Sequence, residues 1–157
     1  FIGCDIVQEK RGIFLHQQRY VSKVIARHNL SVRGVPTPLE SKANPFSAGI
    51  DLPADNDYRA RLGALGWLAV MTRPDLAFTQ GHFARASARP MEHHLEKLKH
   101  YLRYAVGTGG SGIFYRRLRD GEKFVLEAWA DSDWKGCPKT GRSTGGHVIT
   151  LNGCIIS

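Results

Sequence analysis

Cysteine is scarce in this chain. Cys4, Cys137 and Cys154 are the only three, too few and too scattered for a disulfide framework or a zinc site. No apolar run approaches the roughly 18 residues that would argue for a membrane-spanning helix. The opening FIGCDIV has no basic lead and no small-residue cleavage site, so it does not read as a secretory signal. There is no starting Met, from which we expect a chain cut from something longer. Internal repeats and low-complexity tracts are absent too. What remains is the composition of a globular, reduced intracellular protein: 157 residues, of which 42% are apolar, enough for one compact domain.

The informative quantity is charge. Lys and Arg number 22 against 14 Asp and Glu, a net +8. Residues 59–119 hold 11 basic and 3 acidic side chains, so they carry the whole excess. His82, His93, His94 and His100 fall in the same stretch. A concentrated basic segment is the electrostatic footprint of a phosphate-backbone binder. The alternative is a solvated basic surface.

Periodicity gives an α+β order: a hairpin, a helix, a linker, three helices and an antiparallel sheet. FIGCDIV and GIFL flank a polar turn with Gly12 and read as a hairpin. Residues 19–30 follow a helical period through Tyr20, Val24, Ile25 and His28, with Asn29 at the end. Residues 31–57 hold four of the seven prolines and read as a connector, loosely ordered or draped over a surface. A helix follows from an Asp57 cap to Met71, with Tyr58, Leu62, Leu65 and Ala69 inward. A second opens at TRPD with Thr72 as cap and Pro74 in the first turn, and its inward positions are Leu76, Gln80, Phe83 and Ala84. The third opens at RPME with Pro90 in its first turn. Its apolar stripe is Met91, Leu95, Leu98, Leu102 and Ala105, and Gly107 ends it. On another face of that helix stand His93, Lys97, His100 and Tyr104, with Arg103 beside them. A basic stripe with an aromatic suits a phosphate backbone, and equally a solvated face. From Gly112 the period becomes strand-like. GIFYRRL and KFVLEAWA are expected to pair across Asp120-Gly121, and GGHVITL and CIIS across Asn152-Gly153.

Three short motifs bear on chemistry. GCPKTGRST, residues 136–144, has the spacing of a phosphate loop, but Arg142 replaces the lysine and a strand follows where a helix is required. A glycine-rich turn is the better reading. Asn29-Leu30-Ser31 is a glycosylation sequon without a secretory signal. Asp131 and Asp133 end a strand, and alternation puts both on one face, where carboxylates can hold a hard divalent cation. A phosphodiester-cleaving cage needs more carboxylates, and none follows Asp133.

The ordered series of strings resembles the copia-type retrotransposon Pol polyprotein, from the end of reverse transcriptase into the start of RNase H. The strings are FIGCDI (1–6), GIFLHQQRY (12–20), PTPL (36–39), YRARLGALGWLAVMTRPDLAF (58–78), RPMEHHLEKLKHYLRYAVGT (89–108), GIFY (112–115), ADSDWKG (130–136) and GRSTGGHVITLNG (141–153). The departures are mild: Ile2 where the family often has Leu, Gly145-Gly146 for a Ser–Gly pair, and His147 for an aromatic.

The resemblance implies four regions. Residues 1–30 become a primer-grip-like hairpin plus helix and 31–57 a linker. Residues 58–108 become thumb and connecting helices that clamp a template–primer duplex, and 112–157 an incomplete RNase H-like sheet. It implies Asp131 as the first catalytic carboxylate of the RNase H site, a magnesium ligand in the parent, with Asp133 a weaker candidate ligand. No cofactor is expected to stay bound to this segment alone. Combined with the charge count, it points to Arg59, Arg61, Arg73, His93, Lys97, Lys99, His100 and Arg103 as the nucleic-acid-binding set. The expected partners are an RNA–DNA or DNA duplex and the rest of the polyprotein, not a membrane. The expected location is a cytoplasmic particle or the nucleus. The polymerase aspartates and the later RNase H carboxylates of the family have no counterpart here, so the chain alone is expected to be inactive. A degenerate or domesticated scaffold is the alternative. A stand-alone hydrolase using Asp131 and Asp133 is the third reading.

Overall fold

The computed structural model describes residues 2–28, 33–40 and 43–157. Among these residues the fold is mixed α/β, with four α-helices and two three-stranded antiparallel sheets. Strands β1 (Asp5–Glu9) and β2 (Gly12–His16) form the expected hairpin and lead into α1 (Gln18–His28). Helix α2 (Tyr58–Met71) is followed by a 3-10 turn (Pro74–Leu76), α3 (Ala77–Ala84) and α4 (Glu92–Gly107). Strands β3 (Gly112–Arg116), β4 (Leu126–Ser132), β5 (Gly145–Leu151) and β6 (Cys154–Ile155) complete the order. No helix among the described residues is long and apolar enough to cross a membrane.

The strand pairing departs from expectation at one point. β3 lies beside β2, giving the order β1-β2-β3, while β4, β5 and β6 form a separate sheet in chain order. Asp120-Gly121 therefore does not join β3 to β4. It sits in a local turn, closed by Glu122 N–H donating to the Arg119 carbonyl at 3.0 Å and by the Glu122 carboxylate accepting the Arg119 N–H at 3.0 Å. A turn signal reports the local bend, not which strands it joins. The Asn152-Gly153 expectation holds. Both residues have positive φ, +51° and +77°, as a tight two-residue hairpin turn requires. In the second sheet Leu126 opposes Leu151, Trp129 opposes Val148, and Asp131 opposes Gly146.

The chain divides into two compact units. The helical unit comprises Phe1–Ile6 and Leu15–Gly112. Its core joins Tyr58, Leu62, Leu65 and Leu68 of α2 to Leu76, Phe83, Leu98, Tyr101 and Leu102, with Val21 and Val24 of α1. Phe83 and Tyr101 stack at 5.8 Å, and the Tyr58 hydroxyl donates to the Phe83 carbonyl at 2.8 Å. The other unit comprises Val7–Phe14 and Ile113–Ser157. Its β4 is solvent-exposed at every residue.

Several local expectations are corrected inside the helical unit. On α3, Ala84 is exposed, whereas half-buried Gln80 does face inward, its Nε2 donating to the Leu62 carbonyl of α2 at 3.2 Å; Thr79, His82 and Phe83 are buried there. The chain enters α3 through a 3-10 turn, which winds more tightly than an α-helix and so rotates the inward face. On α4, His94, Tyr101 and Val106 are buried beside Leu98, Leu102 and Ala105, whereas Met91 and Leu95 are half-buried. Asp57 does not cap α2, because its carboxylate accepts from Arg61 one turn along at 2.6 Å. Asn56 substitutes, accepting the Tyr58 N–H at 3.0 Å. Thr72 is no cap either, since its hydroxyl donates to the buried Gln17 side chain at 2.9 Å. Pro90 stands ahead of the α4 N-cap, Met91. The Asn29 helix end and the Asn29-Leu30-Ser31 sequon lie outside the described residues.

Leu65 is fully buried whereas Val70, on the same helix, is 80% exposed. Leu65→Ala is expected to cost about 2–5 kcal/mol and Val70→Ala to stay within about 0.5 kcal/mol, both read from urea unfolding. Equal effects would show that the inward face of α2 is misassigned.

Candidate nucleic-acid interface

The eight candidates, six Arg or Lys and two His, separate into distinct physical situations. Arg73 is the extreme case, 3% exposed. Helix α2 ends just before it, because Thr72 and Arg73 both donate their N–H groups to the Leu68 carbonyl and Pro74 cannot continue the ladder. Its guanidinium forks onto Asp75 at 2.8 and 2.7 Å. The remaining donors reach the Thr108 carbonyl at 3.0 Å and the Thr108 hydroxyl at 2.7 Å. The Tyr104 ring lies 5.7 Å from the guanidinium, and the Tyr104 hydroxyl donates to Asp75 at 3.3 Å. Arg73 therefore fastens the end of α2 to the end of α4.

Arg61 is paired with Asp57, and Lys99 with Glu96 at 2.5 Å. His100 sits 2.9 Å from the Thr37 carbonyl through Nε2 and 3.7 Å from the Glu40 carboxylate through Nδ1. Arg103 and Arg59 differ in kind. Each donates Nε to a backbone carbonyl, that of Arg33 at 3.1 Å and that of Ser87 at 3.0 Å respectively. A neutral acceptor orients a guanidinium without cancelling its charge. Lys97 is half-buried and has no acidic partner among the described residues. The His93 ring leans on His94 at 4.0 Å, with its Nε2 buried and unpaired.

The α4 face proposed for phosphates is not bare. The connector between α1 and α2 runs along it. Arg33, Thr37 and Glu40 make the contacts just described. Further on, Glu92 N–H donates to the Ile50 carbonyl at 2.9 Å, and Leu52 N–H to the Pro90 carbonyl at 3.1 Å. Asp51 takes a two-pronged bond from Arg89 at 2.8 and 2.7 Å. Gly34 and Gly107 meet backbone to backbone, and a Cβ on Gly107 would fall 2.7 Å from the Gly34 Cα. Only small residues permit that approach.

Asp131 and Asp133 do not form a metal cage. Among the described residues, no three His, Cys, Asp or Glu side chains come together to hold an ion. β4 ends at Ser132, so Asp133 lies just beyond the strand and strand alternation does not govern it. Its carboxylate accepts the Thr144 N–H, and its own N–H donates to the Thr144 carbonyl at 3.1 Å. Asp131 accepts the neighbouring Ser132 N–H at 2.8 Å. The residues present do not fit a magnesium site on their own, so no chemistry is derived through one. GCPKTGRST forms a turn that feeds β5, a strand.

The buried histidines escaped the sequence reading. His94 is 3% exposed and its Nδ1 accepts the Met91 N–H at 3.0 Å, a helix cap supplied by an imidazole. Burial first, and then the neighbouring His93, push its pKa down to about 4. Burial likewise lowers His82. S/T-x-x-E would have signalled a capping box; M-E-H-H signals nothing by composition. Arg117 and Arg119 escaped selection too, although their charge lies in the +8 segment.

The chain is a basic, two-unit protein. Its homologues across nearly the whole chain are copia-type retrotransposon Pol polyproteins and transposon-related proteins. It is 34% identical to the retrovirus-related Pol polyprotein of transposon RE2 from Arabidopsis thaliana, across 96% of this chain and 10% of that protein. Identity and coverage are the same for the transposon RE1 polyprotein of that plant. An uncharacterised mitochondrial protein of Arabidopsis thaliana is 32% identical over the whole chain, which spans 64% of it. The chain thus covers about a tenth of the transposon polyproteins it matches. No protein-family profile and no solved structure matches it.

Two outcomes test this geometry. Arg73→Ala is expected to destabilise the protein by about 2–4 kcal/mol, and Arg73→Lys to recover little, because an ammonium cannot reproduce the fork. Full rescue by lysine would refute the clasp. For His94, the folded pKa lies below the ordinary value, so the unfolded chain binds more protons between pH 6.5 and about 4. Its contribution to stability is constant above pH 6.5 and is lost as pH falls through that window. His94→Asn keeps an acceptor for Met91 and is expected to flatten the wild-type slope there by up to ~1.4 kcal/mol per pH unit. Parallel slopes would remove His94 from the account.

Proposed function

We propose that the chain is a segment of the reverse transcriptase–RNase H part of a retrotransposon polyprotein, and that its helical unit grips a template–primer duplex. The observation that carries the reading is the sorting of cations in that unit. Arg59 and Arg103 are oriented by neutral carbonyls and Lys97 has no acidic partner among the described residues, so no carboxylate there compensates these three. Arg61, Arg73 and Lys99 are spent on carboxylates. Identity to Pol polyproteins across nearly the whole chain supports the same reading. On this reading Asp131 belongs to a ribonuclease site whose other magnesium ligands come from elsewhere in the polyprotein, and the parent works in a cytoplasmic particle or the nucleus.

A scaffold that no longer uses nucleic acid is favoured by one observation, the connector lying on α4 and occupying His100 and Arg103. Salt dependence separates the two. The triple change Arg59→Ala, Lys97→Ala and Arg103→Ala is expected to weaken binding to duplexes of unrelated sequence about equally. It should also reduce the slope of log K against log salt by about 0.9 per lost contact, near 2.7 in all. An unchanged slope, measured by anisotropy titration at several salt concentrations, would favour the scaffold.

A further inference from the structure

We propose that the unit of Val7–Phe14 and Ile113–Ser157 carries a separate site for single-stranded nucleic acid, made of an arginine cleft and an adjoining apolar groove that share Arg116. The cleft has a volume of about 550 Å³ and is lined by Arg116, Arg117, Arg119 and Glu122. The groove, about 170 Å³, is walled by Tyr115, Leu118, Phe124 and Ile156 beside the same Arg116.

Arg116 is the fixed floor of both. Its guanidinium forks onto Glu122, and its Nε donates to the Asn152 carbonyl at 3.1 Å. Glu122 also accepts the Arg119 backbone N–H at 3.0 Å and the Asn152 amide at 3.3 Å. Its oxygens are therefore committed to four donors, and Arg116 holds the carboxyl ionised, with its pKa lowered to about 2. The one carboxylate in the cleft is thus spent on Arg116 and on backbone. It does not compensate the exposed guanidinium groups of Arg117 and Arg119. Those two cations call for an anion from outside, and guanidinium forks match phosphate geometry.

The groove decides which phosphate polymer. Phe124 is 73% exposed, an aromatic side chain open to solvent in the groove that adjoins the cleft through Arg116. A duplex keeps its base faces inside the stack and offers phosphates at its surface. A single strand presents both, phosphates for arginines and bases for an aromatic platform. Charge and apolar surface side by side thus fit an unpaired strand better than a duplex. The inference does not depend on duplex gripping by the helical unit, because it uses none of the same side chains.

The test uses the full chain with labelled oligothymidylate and with the same strand paired to oligoadenylate. The unpaired strand is expected to bind more tightly than the duplex to the Arg59→Ala, Lys97→Ala, Arg103→Ala protein. Arg117→Ala with Arg119→Ala should lower the single-strand salt slope by about 1.4, from about 0.7 per contact. Phe124→Ala should weaken single-strand binding about tenfold with the slope unchanged, and Phe124→Trp should restore it. Single-strand affinity that is no greater than duplex affinity, or that survives Phe124→Ala or the arginine changes, would overturn the proposal. Duplex binding left undiminished by the triple change, with the unpaired strand still bound more tightly, would count only against the helical-unit reading. Circular dichroism melts of each variant separate lost binding from lost folding.

Discussion

The helical unit depends on one buried cation. A guanidinium taken out of water is costly unless charge and hydrogen bonds replace its solvation. Arg73 meets that condition with a forked carboxylate, a carbonyl, a hydroxyl and an aromatic ring. The geometry follows from the chain around it. Pro74 stops α2 and forces a tight turn that carries Asp75 back under the guanidinium, while α4 ends at Gly107 and leaves Thr108 facing the same point. Three helix termini are therefore defined relative to one planar group, and the apolar faces of α2, α3 and α4 meet in register behind it.

The same interaction limits how charge can be read as function. A net +8 counts Arg73 as fully as Lys97, yet one is enclosed and neutralised and the other is not. The connector adds a second correction. Glu40 and Asp51, outside the basic segment in sequence, are brought to His100 and Arg89 inside it. Carbonyls of Arg33 and Thr37 take up further donors. A long proline-bearing segment with few periodic apolar residues thus contributes an acidic, acceptor-rich strip laid on a basic helix. Its order comes from those polar contacts together with Leu39 and Leu52, packed at the edge of the core.

Much of the helical order was legible because its signals are local. Apolar residues recurring at helical spacing place Leu62 and Leu65, or Leu98 and Leu102, on one face whatever surrounds them. The Asn152-Gly153 turn was legible for the same reason, since two adjacent positive-φ positions specify a hairpin. What was not legible is relational. GIFYR is a strand by composition, but its neighbour is β2, about a hundred residues away in sequence, and no local rule selects it over β4. Asp57 and Thr72 have the chemistry of caps but are claimed by Arg61 and Gln17, one of them a partner 55 residues distant. His94 caps a helix with a ring whose composition predicts no such thing. The eight candidates share a local signal, and their fates divide according to the acceptors each one meets, neighbouring acids for Arg61, Arg73 and Lys99 and the distant connector for His100 and Arg103.

The unit containing β4, β5 and β6 has the opposite character. Its polar groups are well satisfied around Asn152, which accepts the Val125 N–H at 3.0 Å and donates to the Lys123 carbonyl at 2.9 Å. That single amide, with Arg116 and Glu122, fixes the segment between β3 and β4 that has no strand partner of its own. Its apolar groups are not satisfied. Leu126, Trp129 and Trp134 are 67%, 54% and 86% exposed, far more apolar surface than polar rigidity alone would require. A scaffold held by hydrogen bonds can present apolar and aromatic side chains without collapsing onto them. Rigidity of this kind lets exposed Phe124 keep its place in a groove shared with Arg116, which also lines the cleft of Arg117 and Arg119, a precondition for any ligand that must meet ring and charge together.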